Sequence, residues 1–167
     1  LKLYLMRHGP AEAQAASGLD GDRGLTASGR ERVRAVAKAL VESDEVPAHI
    51  ATSPLVRAVQ TAEIVALIAR TARADGEIEA VEVRRELSPE GKAVPWIRTL
   101  AAQGRKRVMM VGHEPDMSSI ASALLGGRFD QGFDKAMVVG LHLPADAQNA
   151  QLRFVLDPHA PKMRPFG

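Results

Sequence analysis

The sequence predicts a single α/β domain with a mostly parallel central sheet and helices on both faces. Three observations lead there. Short apolar runs alternate with longer segments of helical periodicity, in the order β-α-β-α-β-α-β-α-β-β, and that alternation is the mark of parallel strands joined by crossover helices. The chain has 167 residues, 46% of them hydrophobic and only 4% aromatic, so its core must be aliphatic. Finally, several of the apolar runs stop abruptly at polar turns, as strands do when they deliver side chains to one edge of a sheet.

The first run, Leu3-Tyr4-Leu5-Met6, ends in Arg7-His8-Gly9-Pro10. A short apolar run closed by Gly and Pro reads as a buried strand that stops. A permanent charge and a titratable ring then stand at its carboxyl end, where ligands of open α/β sheets bind. Ala11 to Gly24 is polar, rich in small residues and long for a loop, so it is expected to border that site. Thr26 is placed to cap a helix, and Val33, Val36, Ala37, Leu40 and Val41 form its buried stripe.

His49 to Thr52 reads as a second strand, closed by Ser53-Pro54. Ser53 suits an N-cap and Pro54 the first helical position. The helix from Leu55 to about Arg70 is expected to bury Val59, Ala62, Ile64, Ala66 and Leu67 or Ile68, with Arg57 in its first turn. A cation there opposes the helix dipole, which points to an anion bound nearby.

Ile78 to Val83 reads as a strand, Arg84 to Gly91 as a loop and Ala93 to Gln103 as a helix. Val108 to Val111 is the most strand-like run, and it too ends in a polar turn, Gly112-His113-Glu114-Pro115. The next helix buries Met117, Ile120, Ala121, Leu124 and Leu125 and stops at Gly126-Gly127. Ala136 to Leu143 and Leu152 to Leu156 read as closing strands around a turn at Pro144 to Asn149. Residues 1–156 are expected to form the domain, and residues 157–167, with three prolines, an irregular tail.

Composition excludes several functions. There is no cysteine, hence no disulfide or thiol chemistry, which fits a reducing, cytoplasmic setting. The formal net charge is +2, too small to argue nucleic acid, and no basic-aromatic interleaving suggests RNA. No stretch is apolar enough to span a membrane. The sequence opens on Leu1 rather than Met, consistent with residues preceding it.

On a parallel sheet the three polar turns share one edge, so Arg7, His8, Arg57 and His113 can converge. Two guanidinium groups and two imidazoles make a site for a dianion. A neutral imidazole can attack phosphorus, and two neighbouring arginines hold a histidine neutral.

These residues also carry a family resemblance. Leu5-Met6-Arg7-His8-Gly9 resembles the Arg-His-Gly motif of the histidine phosphatase superfamily. Ser53 to Ala62 resembles its second signature and Val111-Gly112-His113-Glu114 its third, while Leu25 to Gly29 matches a common helix start between them. The resemblance implies a phosphoglycerate-mutase-like fold with His8 as the nucleophile that carries the phosphoryl group. It implies that Arg7, Arg57 and His113 bind the non-bridging oxygens, and that neither metal nor cofactor takes part. Short segments between the motifs leave little material for a lid, which resembles the SixA-like protein-phosphohistidine phosphatases. The implied partner is therefore phosphohistidine on another protein, with a small phosphate ester as the alternative.

The pattern departs from its relatives at the general acid. Aligned on Leu87, the mutase-like acid position holds Pro89, flanked by Glu86 and Glu90. Glu114 takes the place of the acid-phosphatase aspartate and is the candidate acid. Two rival readings use the same residues. One is a metal-dependent hydrolase built on His8, His113, Glu114 and Asp116; the other is a phosphate-binding module without catalysis. His49, His142 and His159 match no motif and are read as structural.

Overall fold

The computed structural model describes residues 1–72, 78, 80–146 and 148–166. Its elements are β1 (Lys2–Arg7), α1 (Ala27–Glu42), β2 (His49–Thr52), α2 (Val56–Ala72), β3 (Glu82–Val83), α3 (Ala93–Ala102), β4 (Arg107–Gly112), α4 (Asp116–Leu125), β5 (Val138–His142), β6 (Gln151–Leu156) and β7 (Met163–Pro165). Short 3₁₀ turns lie at Asp20–Asp22 and Arg85–Leu87. Among the described residues no helix is long and apolar enough to cross a membrane.

The strand order is β3-β2-β4-β1-β5-β6-β7. Pleating sends alternate residues of β1 to opposite faces. Leu3 and Leu5 join Val108 and Met110 of β4 beneath α3 and α4, where Ile97, Leu100, Met117, Ile120 and Leu124 close the core. Tyr4 and Met6 join Ile50, Met109 and Val111 beneath α1 and α2 on the other face. The central strands read as continuous apolar runs because both faces are covered.

The sheet is less parallel than expected. β3, β2, β4 and β1 are mutually parallel, but β5 runs antiparallel to β1, β6 to β5 and β7 to β6. The reason lies in residues 126–137. After α4 the chain returns to the carboxyl edge, where Ala136 N–H donates to the carbonyls of Arg7 and His8. β5 therefore starts opposite Met6 and can only run back along β1.

Three local expectations also need correction. Of the segment Ile78 to Val83 only Glu82–Val83 is a strand, and Glu79 lies outside the described residues. The tail is not wholly irregular: Met163–Pro165 pairs with β6, with Pro165 at the sheet edge, where a missing N–H costs no ladder bond. The face of α2 is rotated from the one expected. It buries Ala58, Thr61, Ala62, Val65, Ala66 and Ala69, while Leu67 is 64% exposed. Small residues let α2 lie close to the sheet and to α1.

Thr26 caps α1 as expected, its hydroxyl accepting from Gly29 N–H at 2.9 Å. Gly29 is required there by contact, since a Cβ would stand 2.1 Å from the Pro10 carbonyl oxygen. That close approach fixes the start of α1 against the turn that follows β1.

Candidate active site

The strand order sets β4 between β2 and β1, so three carboxyl ends stand side by side. β1 ends at Arg7, paired with Gly112, and His8 N–H donates to the Gly112 carbonyl at 3.0 Å. β4 ends at Gly112 and delivers His113. β2 ends at Thr52, and Ser53 N–H donates to Val111 at 3.0 Å before α2 brings in Arg57. The His8 and His113 ring centroids are 5.1 Å apart, and the Arg7 and Arg57 charges act on both rings.

The His8 tautomer follows from one hydrogen bond. Its Nδ1 lies 2.7 Å from the Gly9 carbonyl oxygen. A carbonyl only accepts, so Nδ1 carries the proton and Nε2 keeps the lone pair. His8 is 7% exposed and His113 4%. Burial pushes the His8 pKa down to about 3; the Gly9 bond opposes that shift, and the positive neighbours His113, Arg57 and Arg7 add to it. Burial likewise lowers His113 to about 4, with Arg57 the next cause. Desolvation, more than the arginine charges, keeps His8 neutral.

Arg7, Arg57 and His113 are each held by neighbouring protein groups. Arg7 Nη1 donates to the Phe133 carbonyl at 2.7 Å. Arg57 Nη1 and Nη2 donate to the carbonyl and the carboxylate of Asp20 at 2.9 and 3.0 Å. His113 Nε2 lies 2.8 Å from Ser53 Oγ, which also accepts from Leu55 N–H. A Ser53 hydroxyl that donates to Nε2 would set the His113 proton on Nδ1.

What remains are Arg7 Nε, Arg57 Nε and His113 Nδ1, buried and without hydrogen-bond partners. Buried donors are rarely left unpaired, because each costs about 1–3 kcal/mol. All three belong to residues gathered beside His8, where an anion could pair with them. Among the described residues no three His, Asp or Glu side chains are grouped to hold a metal ion.

The turn after β1 is stitched to α2. Gly9 N–H donates to Thr61 Oγ1 at 3.0 Å, and Thr61 Oγ1–H donates to the Arg57 carbonyl at 2.7 Å. A Cβ on Gly9 would come 2.6 Å from Val33 Cγ2, so this turn lies directly on α1. The long loop before α1 does reach the cluster. An isolated bridge between Ala11 and Leu25 closes its base, and its 3₁₀ turn presents Asp20 to Arg57. Arg57 holds the Asp20 carboxyl below its usual range, and Arg23, bonded to Asp20 Oδ1 at 2.8 Å, adds to this.

Glu114 stands beside this cluster with its carboxylate engaged by Ser118 and Phe133. Four site residues go beyond the sequence reading. Ser53 holds His113 in addition to accepting from Leu55; Thr61 joins two turns; Asp20 anchors Arg57; and Phe133 anchors Arg7. Ser53 and Thr61 lie inside the second signature, which is the only sequence signal for them.

Residues 3–75, which hold the first two signatures, match the histidine phosphatase superfamily (branch 1). The phosphohistidine phosphatase SixA of Escherichia coli is 26% identical over 98% of both chains. A solved structure of the protein histidine phosphatase SixA with tungstate superposes with a TM-score of 0.83, at 25% identity over 95% of this chain and 98% of that one. The chain belongs to the histidine phosphatase superfamily. It is a SixA-like phosphatase of that superfamily. An uncharacterized protein of Picosynechococcus is 34% identical over 84% of each chain. The superfamily profile stops before His113, so the third turn enters the site through β4 and not through that match.

A pH-dependent stability follows from the two depressed histidines. Between pH 6.5 and about 4 the unfolded chain binds protons at His8 and His113 that the folded chain does not. Stability from this source is therefore full above pH 6.5 and is lost as the pH falls towards 4 and then 3. Each ring contributes a slope of at most about 1.4 kcal/mol per pH step of one. Urea unfolding of His8→Ala is expected to show a shallower acid decline than wild type. Parallel declines would place the proton uptake elsewhere.

Proposed function

We infer that this phosphatase is metal-independent, works through a phosphohistidine at His8, and acts on phosphohistidine carried by a partner protein. The observation that carries the reading is the cradle itself: a neutral His8 with its lone pair on Nε2, ringed by three buried donors without partners. In the first step Nε2 attacks phosphorus and the bond from phosphorus to the leaving group breaks, the electron pair departing with that group. Arg7, Arg57 and His113 hold the three non-bridging oxygens and balance charge that spreads over them. In the second step water attacks the phosphoryl group, the P–Nε2 bond breaks, and inorganic phosphate leaves.

Substrate choice turns on the leaving group. An alkoxide needs a proton delivered as it departs, and Pro89 fills the position aligned with the mutase-like acid. A phosphohistidine whose distal nitrogen carries a solvent proton leaves as neutral imidazole, with a conjugate-acid pKa of roughly 6.5. It makes far less demand on the enzyme. The relative SixA, a phosphohistidine phosphatase matched over its whole length, supports the same choice.

The test compares a phosphohistidine-bearing protein domain, an aryl phosphate and an alkyl phosphate at equal concentration, with and without a chelator. The first two should be hydrolysed at least about a hundredfold faster than the third, with no loss on chelation. Quenched reactions should trap a phosphoryl group on His8 that is labile in acid and stable in alkali. A fast alkyl phosphatase would make the protein a small-molecule phosphomonoesterase, and loss of activity with chelator would favour a metal-dependent hydrolase.

A further inference from the structure

Glu114 was the residue in the best place, by sequence, to protonate a leaving group. Its surroundings suit another task. Oε1 accepts the Phe133 N–H at 2.7 Å and the Ser118 hydroxyl, and Oε2 accepts the Ser118 N–H at 3.1 Å. Oε1 is filled by two donors and Oε2 accepts one, so the carboxylate is tied to neighbouring protein groups. Phe133, which Glu114 grips by its N–H, is also the residue whose carbonyl, in the next peptide group, receives Arg7 Nη1 at 2.7 Å.

A continuous line therefore runs from the first turn of α4 to the oxyanion cradle: Ser118, Glu114, the Phe133 backbone, Arg7. The peptides around it leave Arg7 little latitude. Arg7 N–H donates to the Met137 carbonyl at 3.2 Å, and Ala136 N–H returns to the Arg7 and His8 carbonyls at 3.2 and 3.1 Å. The bond from Nη1 to Phe133 restricts the guanidinium and favours one orientation of its unpartnered Nε. Residues 126–137 contain no helix or strand that would hold the Phe133 carbonyl in place. The Phe133 side chain is buried beside Phe129, and the carboxylate of Glu114 ties down its backbone N–H.

We propose that Glu114 is a positioning residue, which aims Arg7 at the transferring phosphoryl group through the Phe133 backbone and donates no proton to the leaving group. The proposal rests on the phosphatase reading above and assigns a part of the same site. A residue that aims an oxyanion ligand affects every substrate alike, since all present the same phosphoryl group. A general acid matters in proportion to how poor the leaving group is.

The experiment uses wild type, Glu114→Gln and Glu114→Ala, each also in an Arg7→Ala background. Glu114→Gln keeps the shape and abandons one donor, because its amide must face either Ser118 N–H or Phe133 N–H. It is expected to weaken inorganic phosphate binding by about three- to tenfold, and Glu114→Ala by about ten- to a hundredfold. Turnover of aryl and alkyl phosphates should fall by the same factor as each other, within about twofold. In the Arg7→Ala background the Glu114 substitutions should cost less than about twofold, because the group they act through is gone.

A loss confined to the alkyl ester, with phosphate affinity unchanged, would make Glu114 the general acid and overturn the proposal. Undiminished losses in the Arg7→Ala background would show that Glu114 acts on the fold alone, and would overturn it too. Thermal unfolding of each variant separates loss of aim from loss of structure, and Glu114→Gln serves if Glu114→Ala does not fold. Failure of the phosphatase reading looks different: wild type would turn over no phosphate substrate, while the phosphate titrations would still decide the role of Glu114.

Discussion

His8→Ala is expected to abolish turnover, by about ten-thousandfold or more, while inorganic phosphate still binds within about tenfold of wild type. The two halves of this expectation come from different atoms. The lone pair on Nε2 is the only part of His8 that chemistry needs, and alanine removes it with nothing else in the site able to replace it. His113 is the neighbouring imidazole, but its Nε2 is committed to Ser53 at 2.8 Å and its Nδ1 is buried without a partner. Binding, on the function proposed above, belongs to Arg7, Arg57 and His113, whose unpartnered buried nitrogens all remain. Nor does the substitution alter the charge of the site, because a histidine with a pKa of about 3 is neutral at pH 7. Steady-state rates with an aryl phosphate and the phosphate-induced rise in melting temperature measure the two halves separately. Wild-type turnover in the variant would dismiss His8 as nucleophile. Loss of phosphate binding together with turnover would show that the ring also supports the cradle.

The parts of this site that could be read from sequence share a property: they are adjacent along the chain to a strong pattern. Arg7 and His8 follow an apolar strand, Arg57 follows a strand and a Ser-Pro helix start, and His113 follows the most hydrophobic strand. A parallel sheet then brings strand ends together without further information. Asp20 is different. It meets Arg57 from 37 residues away, out of a loop with no periodicity, and only the folded chain shows the pairing. Phe133 is harder still, because what it offers Arg7 is a backbone carbonyl, which every residue has. Its side chain packs beside Phe129 and says nothing of that role.

The errors in the fold have the same origin. The apolar run from Ala136 to Leu143 announces a strand, but direction is set by the route of residues 126–137, whose sequence carries no periodic signal. Hence β5 reverses unannounced and half of the sheet turns antiparallel. β7 was missed because an edge strand of three residues needs neither alternation nor an apolar face. Ser53 shows the opposite case, a residue whose type fits two tasks. A serine followed by proline looks like a helix cap, but α2 begins only at Val56, so Ser53 accepts from Leu55 N–H in the turn before it and makes its shorter contact with His113.

Arg57→Lys is expected to lower kcat/KM by about a hundred- to a thousandfold, although it changes no charge. Arg57 divides its donors between two partners on opposite sides. Nη1 and Nη2 are bound to Asp20 at 2.9 and 3.0 Å, and Nε is buried without a partner, free for the phosphoryl oxygen that the proposed function gives it. A planar guanidinium can do both at once because its donors are spread over a rigid fork. The lysine ammonium is a single point at the end of a flexible chain. It can pair with the Asp20 carboxylate and vacate the cradle, or enter the cradle and leave Asp20. The nearer carboxylate is the stronger competitor in the absence of substrate, so the cradle should lose one of its three donors in the resting enzyme. This argument carries its own control. In an Asp20→Asn background the competing charge is gone, and Arg57→Lys should regain part of the lost activity, about tenfold, whereas Arg57→Ala should regain none. Rates with an aryl phosphate for the four variants decide it. If Arg57→Lys alone stays within about threefold of wild type, Arg57 serves as a nearby charge and its divided hydrogen bonding has no part in catalysis.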